Sequence, residues 1–119
     1  MDIKIKQFPY AGEWCLLVKF NEEELRLEHL GGVENTLEQL LRPIETTKRV
    51  VLDFNDVAKI SSMILASIIR TLTEKFNPEF FLYVRKVDGA NSIVRLATHD
   101  FFQLPANGFL KRIKEVAAA

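Results

Sequence analysis

The sequence predicts an α/β domain: a sheet, part of it parallel, with helices packed on it. Three observations point there. Near the start of the chain, residues Ile3 to Phe8 alternate apolar and polar side chains, the signature of a half-exposed strand. Arg49 to Phe54 has a near-continuous apolar centre, Val50-Val51-Leu52, and strands of that kind are covered on both faces in parallel α/β sheets. Downstream, Leu65, Ile68, Ile69, Leu72 and Phe76 form one apolar stripe at helical spacing.

Taken in order, the strand at Ile3–Phe8 is followed by a turn at Pro9–Gly12 and a second strand at Glu13–Phe20. In Asn21–His29, Leu25 and Leu27 alternate with Glu24, Arg26 and Glu28, which fits a short edge strand or an extended loop. Gly31-Gly32 reads as a break, and Asn35 with Glu38 three residues later resembles a capping box. Leu37, Leu40, Leu41 and Ile44 then recur at helical spacing, with Pro43 expected to end or kink that helix. After the central strand and the helix bearing the Leu65 stripe, Asn77-Pro78 is a stop. Phe80–Val84 is another strand, Asn91–Thr98 carries an apolar helical side, and Asn107 caps a last helix from Gly108 to about Val116. The strand–helix alternation is that of a sheet covered by helices, in a single domain spanning 1–119.

Composition narrows the function classes. Of 119 residues, 48% are apolar and 27% charged, and sixteen Lys and Arg balance sixteen Asp and Glu. With no net charge and no long basic run, direct nucleic-acid binding and an anionic membrane surface are poor fits. The first residues, "MDIKIKQF", have no apolar core of a signal peptide, and no apolar run approaches the roughly 20 residues of a membrane span. The lone Cys15 lies in the apolar run Trp14–Val18 and reads as a buried small hydrophobe. A cytoplasmic protein is the expectation.

No catalytic constellation assembles. His29 and His99 have no Cys or His at metal-ligand spacing, so neither a metal nor a cofactor is expected. His99-Asp100 falls at the end of a predicted helix, where His is favoured by the dipole. Gly31-Gly32 belongs to no phosphate-loop pattern. Asp53 and Asp56 bracket the end of the central strand, where α/β proteins keep functional groups, but Asp56 serves equally as a turn residue.

Ser61 and Ser62 stand where the helix begins. One of them is an N-cap by its preference for that position, worth about 1 kcal/mol. The alternative use is phosphorylation, since a phosphate at a helix start meets free N–H groups and the positive end of the dipole. It would add about two negative charges there.

Residues 50–72 resemble the central segment of STAS domains, the family of the bacterial anti-sigma factor antagonists. In that family an apolar strand ends in Leu-Asp-Leu, a loop carries a Val, and Ile-Asp-Ser-(Ser/Thr)-Gly-Leu opens a helix. "VVLDF" supplies the strand, with Asp53 at its Asp; Val57 and Ile60 match the loop's apolar positions, and Leu65 the helix Leu. "FFLYVRKVDGANSIVRLATHDFFQL" is similar to the elements that follow, so the resemblance spans roughly residues 33–116. It implies a single STAS-like domain, a mixed four- to five-stranded sheet with helices mainly on one face.

It also implies a non-enzymatic regulator in signal transduction and transcription. Such a protein would bind an anti-sigma factor of the histidine-kinase-like ATPase type, itself a serine kinase, and be switched by phosphorylation. Ser62 takes the phosphoacceptor position, and Ser61 stands where the family holds an Asp, which makes Ser61 the expected N-cap. Met63 falls on the Ser/Thr position and Ile64 on the Gly. The implied partner surface is Asp56, Val57, Lys59, Ser61, Ser62, Met63 and Ile64. Met63 and Ile64 lie off the apolar stripe; they either present surface for docking or pack under the Asp56–Ile60 loop. Another STAS use is a scaffold or transporter-associated subunit that is never phosphorylated. From a different class, a small ligand-binding or enzymatic domain would use Asp53, Asp56 and the serines.

Overall fold

The computed structural model describes residues 1–10, 12–84 and 111–112. Strand β1 (Ile3–Tyr10) pairs antiparallel with β2 (Glu13–Phe20), Ile3 opposite Phe20 and Tyr10 opposite Glu13. Gly12 in the connection has φ 80, a left-handed backbone that glycine adopts without steric penalty. Beyond β2 the sheet is parallel: β4 (Arg49–Phe54), β6 (Glu79–Val84) and β7 (Lys111–Arg112) follow in the order β1-β2-β4-β6-β7. The sheet is thus mixed and five-stranded, at the upper end of the four to five strands expected. A second, two-stranded parallel sheet joins β3 (Glu24–Leu25) to β5 (Lys59–Ile60). The ambiguous segment after β2 is therefore a very short strand followed by a single 3-10 turn at Leu27–His29.

Both described helices, α1 (Leu30–Leu41) and α2 (Ser62–Phe76), pack on one face of the sheet. Val33, Leu37 and Leu41 of α1 and Leu65, Ile68 and Leu72 of α2 share one core with Leu16, Val18, Val50, Leu52, Phe54 and Phe80. Ser67 Oγ donates to Glu34 Oε2 at 3.0 Å, tying the helices together. On the other face Phe8, Cys15, Val51 and Phe81 form a smaller buried cluster, partly flanked by Leu17. Central β4 has buried side chains on both faces, which is why its sequence lacks alternation. Cys15 is the small buried hydrophobe expected, and burial pushes its thiol above the ordinary range.

Three sequence expectations change. Gly31-Gly32 is not a break, because both glycines sit in the first turn of α1, and Asn35 lies inside the helix rather than at its cap. Burial of Val33, Leu37 and Leu41 outweighs a glycine cost of about 1 kcal/mol per residue. Lys111-Arg112, expected inside a last helix, are strand β7, where the backbone edge of β6 supplies hydrogen-bond partners that helical spacing cannot foresee. Pro43 does act as a stop, with α1 ending at Leu41 and Arg42 as its C-cap. Asn77 ends α2 in a left-handed conformation (φ 49), its N–H bonded to Thr73 O at 2.8 Å. The helix expected at Asn91–Thr98 and the pair His99-Asp100 lie outside the described residues.

Candidate functional site

The carboxyl end of β4 is anchored by aromatic packing. Phe20 and Phe54 stack with ring centroids 5.0 Å apart, both fully buried. From Phe54 the chain turns through Asn55-Asp56. Val57 donates its N–H to Phe54 O at 3.0 Å and buries its side chain in the core, fastening the loop. The next residues are laced to β3: Ala58 N–H donates to Glu23 O at 2.8 Å, and Ser61 N–H to Leu25 O at 2.8 Å. The β3–β5 pair therefore holds the loop in one extended path and delivers Ser61 to the start of α2.

At that start the two serines have different jobs. Ser61 has extended backbone (φ −67, ψ 137), its Oγ accepts from Met63 N–H at 3.3 Å, and its carbonyl accepts from Leu65 N–H at 3.1 Å. That is an N-cap. Ser62 is the first residue of the helix, half-buried, and its hydroxyl makes no hydrogen bond among the described residues.

Met63 and Ile64 also part. Met63 is 57% exposed, one of the few large apolar side chains on the described surface, whereas Ile64 is 0% exposed in the core. The expectation that both lie off the buried stripe fails for Ile64. The apolar arc of α2 is wider than Leu65, Ile68, Ile69 and Leu72 define, and Ile64 sits one turn before Ile68 on the same side. Lys59 is exposed and Val57 buried, so the surface of the expected partner set consists of Asp56, Lys59, Ser61, Ser62 and Met63.

Two carboxylates mark the loop. Asp53 is buried at the end of β4, its Oδ1 accepting from Asn55 N–H at 2.9 Å. Burial raises its pKa, a rise opposed by that hydrogen bond and by Lys19. Asp56 instead reaches Lys19 Nζ at 3.7 Å in a half-exposed ion pair. Among the described residues no three of His, Cys, Asp or Glu converge to hold a metal ion. No helix among them is long and apolar enough to cross a membrane.

Sequence reasoning passed over the neighbour of this site. A shallow open cleft of about 420 Å³ is lined by Glu24, Leu25, Arg26, Lys59, Ile60 and Ser61. Arg26 Nε donates to Glu24 Oε2 at 2.8 Å, which lowers the Glu24 pKa. Arg26 N–H donates to His29 Nδ1 at 3.0 Å while His29 N–H returns a bond to Arg26 O at 2.8 Å, closing the 3-10 turn and presenting Leu27, 54% exposed. The alternation of leucines and charges in 24–28 carried part of this, since Leu25 is buried; the pairing of 24–25 with 59–60 was not in it.

A mixed sheet with both described helices on one face, and a strand–loop–capped-helix unit at its centre, defines a STAS-like architecture. No family model and no curated protein matches the chain. Among solved structures it is similar to one from Shewanella loihica PV-4, described as an uncharacterized protein of the DUF3478 family with a SpoIIAA-like fold. That likeness has a TM-score of 0.53 and covers 98% of this chain and 90% of the other, at 15% identity. The fold of this protein is accordingly SpoIIAA-like, the STAS fold of anti-sigma factor antagonists. At that identity the likeness is one of fold.

Proposed function

We propose that this protein is a non-catalytic, cytoplasmic regulatory domain that binds a protein partner through the β4–β5 loop and the first turn of α2. Asp56, Lys59, Ser61, Ser62 and Met63 make the contact, with Val57 and Ile64 supporting it from the core. The partner, by resemblance, is a bacterial anti-sigma factor with a serine-kinase-like ATPase domain, and phosphorylation of Ser62 releases it. One observation carries this reading: Ser61 caps α2, and among the described residues the Ser62 hydroxyl makes no hydrogen bond beside an exposed Met63. A phosphate on Ser62 would leave the cap intact and add about two negative charges beside the apolar contact. Binding would fall while the fold persisted.

The test is incubation with an anti-sigma ATPase of that type and ATP, followed by intact-mass and peptide mapping, with Ser62→Asp and Met63→Ala assayed for partner binding in parallel. A phosphate on Ser62, and loss of binding in Ser62→Asp at unchanged melting temperature, is the expected outcome. A phosphate elsewhere, or full binding by Ser62→Asp, overturns the switch.

A constitutive scaffold or transporter-associated subunit is the second reading, favoured by Met63 and Ile64. Where the family keeps a small surface, this chain presents an exposed thioether and roots it on a buried isoleucine. That is an apolar contact with no regulatory chemistry in it. In that case Met63→Ala abolishes binding and Ser62→Asp leaves it intact.

A further inference from the structure

The first strand of the sheet has a surface the STAS reading does not use. β1 runs for eight residues and pairs with β2 along its whole length. It comes first in the strand order, so no described strand pairs with its outer edge. Alternate N–H and C=O groups of such an edge point outward and are ready to accept a further strand. The side chains along it are sorted by face. Ile3 and Ile5 pack toward the core on the helix side, whereas Lys4 and Lys6 are exposed on the opposite side.

The register sharpens the charge. Lys4 lies directly opposite Lys19 and Lys6 opposite Leu17, so three lysines share one sheet face at one edge. Like charges directly opposite on neighbouring strands are destabilising. Lys19 is relieved by Asp56 at 3.7 Å, while Lys4 and Lys6 form no ion pair among the described residues. The chain as a whole has no net charge, so this concentration is local.

From this edge we infer that β1 takes an additional strand from a protein partner, an extended segment with acidic residues at alternate positions. Side chains on an added strand alternate between faces in step with those of β1. Acidic groups at every second position therefore meet Lys4 and Lys6, and the apolar residues between them extend the Ile3–Ile5 side. The same charges select against a second copy of this chain. Edge-to-edge pairing of two β1 strands with their isoleucines on one side sets Lys4 and Lys6 of both copies side by side, a like-charge arrangement. This assignment is independent of Ser62.

The test is an amide-resolved NMR titration of the full chain with a blocked hexapeptide of alternating Glu and Val, against its Lys-Val counterpart. Saturable shifts concentrated on residues 3–10 by the acidic peptide, and weaker ones by the basic peptide, are expected. The double variant Lys4→Glu/Lys6→Glu should bind the acidic peptide about tenfold more weakly, about 1.4 kcal/mol, and reverse the preference. Its fold is checked by unchanged β2, β4 and β6 amides, and Lys4→Glu also gains a favourable partner in Lys19. The uncharged Lys4→Gln/Lys6→Gln variant should fall between. Equal binding of the two peptides, shifts centred elsewhere, or no shifts at millimolar peptide overturn the proposal. So does a β1-mediated dimer in sedimentation, or lysine-dependent binding to phosphatidylserine vesicles without a peptide response.

Discussion

Helices α1 and α2 lie on the same face of the sheet and touch one another, yet they are held by different means. α2 carries its own instructions: Ser61 caps its first turn, a left-handed Asn77 closes its end, and Ile64, Leu65, Ile68, Ile69 and Leu72 give it a continuous apolar side. α1 starts from His29, which is already in helical conformation and supplies no side-chain cap, and its first turn contains two exposed glycines. What holds α1 is the burial of Val33, Leu37 and Leu41 against the sheet and α2. A helix with weak local signals can be as well placed as one with strong signals, provided its apolar side has somewhere to go.

The largest effect with which to break this comparison is a core truncation in each helix. Leu37→Ala and Leu65→Ala both remove fully buried side chains, and each should cost about 2–5 kcal/mol in denaturant unfolding. The difference should appear in amide exchange, with Leu37→Ala releasing the α1 amides at least as readily as global unfolding. A Leu37→Ala cost under about 1 kcal/mol, within the range of surface substitutions, would mean that packing is not what secures α1.

Caps come next. Ser61→Ala should cost about 1 kcal/mol, whereas Ser62→Ala should change stability by less than about 0.5 kcal/mol. The reverse order would exchange the roles assigned to the two serines and remove the basis for treating Ser62 as the serine that does not cap.

Slightly smaller, and opposite in sign, is the effect of alanine in the first turn of α1. A Cβ on Gly31 meets nothing within 4 Å, and one on Gly32 meets only Met1 Cε at 3.9 Å. Gly31→Ala and Gly32→Ala should each stabilise by about 0.5–1 kcal/mol, read as a raised melting temperature. Destabilisation by both would argue that residues 30–32 are not helical.

The smallest effect concerns the approach to α2. Asp53 has its pKa raised by burial, so its ionised form is disfavoured in the folded state relative to the unfolded one. That penalty is present at neutral pH and fades as pH falls through the folded-state pKa. Asp53→Asn keeps an oxygen to accept from Asn55 N–H and removes the charge. It should melt above the parent at pH 7, with the gap narrowing toward pH 4. A gap that widens on acidification has the wrong sign for a buried carboxylate.

Much of the site could be read before any coordinates. The strand at Arg49–Phe54, the loop, a cap at the serine pair and the stripe of α2 all follow from local signals that agree with one another. Preference alone did not say which serine caps, because serine serves equally well at either position; the resemblance favoured Ser61, and the extended backbone there is what decides it. The fates of Met63 and Ile64 were equally closed to sequence, since the width of a helix's buried arc depends on what packs against it. Nor was the β3–β5 pairing visible: two-residue strands lack a period, and residues 24 and 59 meet only after α1 has folded the chain back.

By itself the sequence determined an α/β domain with a twice-covered central strand, a capped amphipathic helix after it and a lone buried cysteine. These are local or compositional properties, set by period, preference and residue type. The tertiary structure alone decided that Gly31-Gly32 would be helical, that Lys111-Arg112 would join the sheet, and that Lys4 would face Lys19. Each depends on a partner distant in sequence, and the free energy that selects it is released only when the two segments meet.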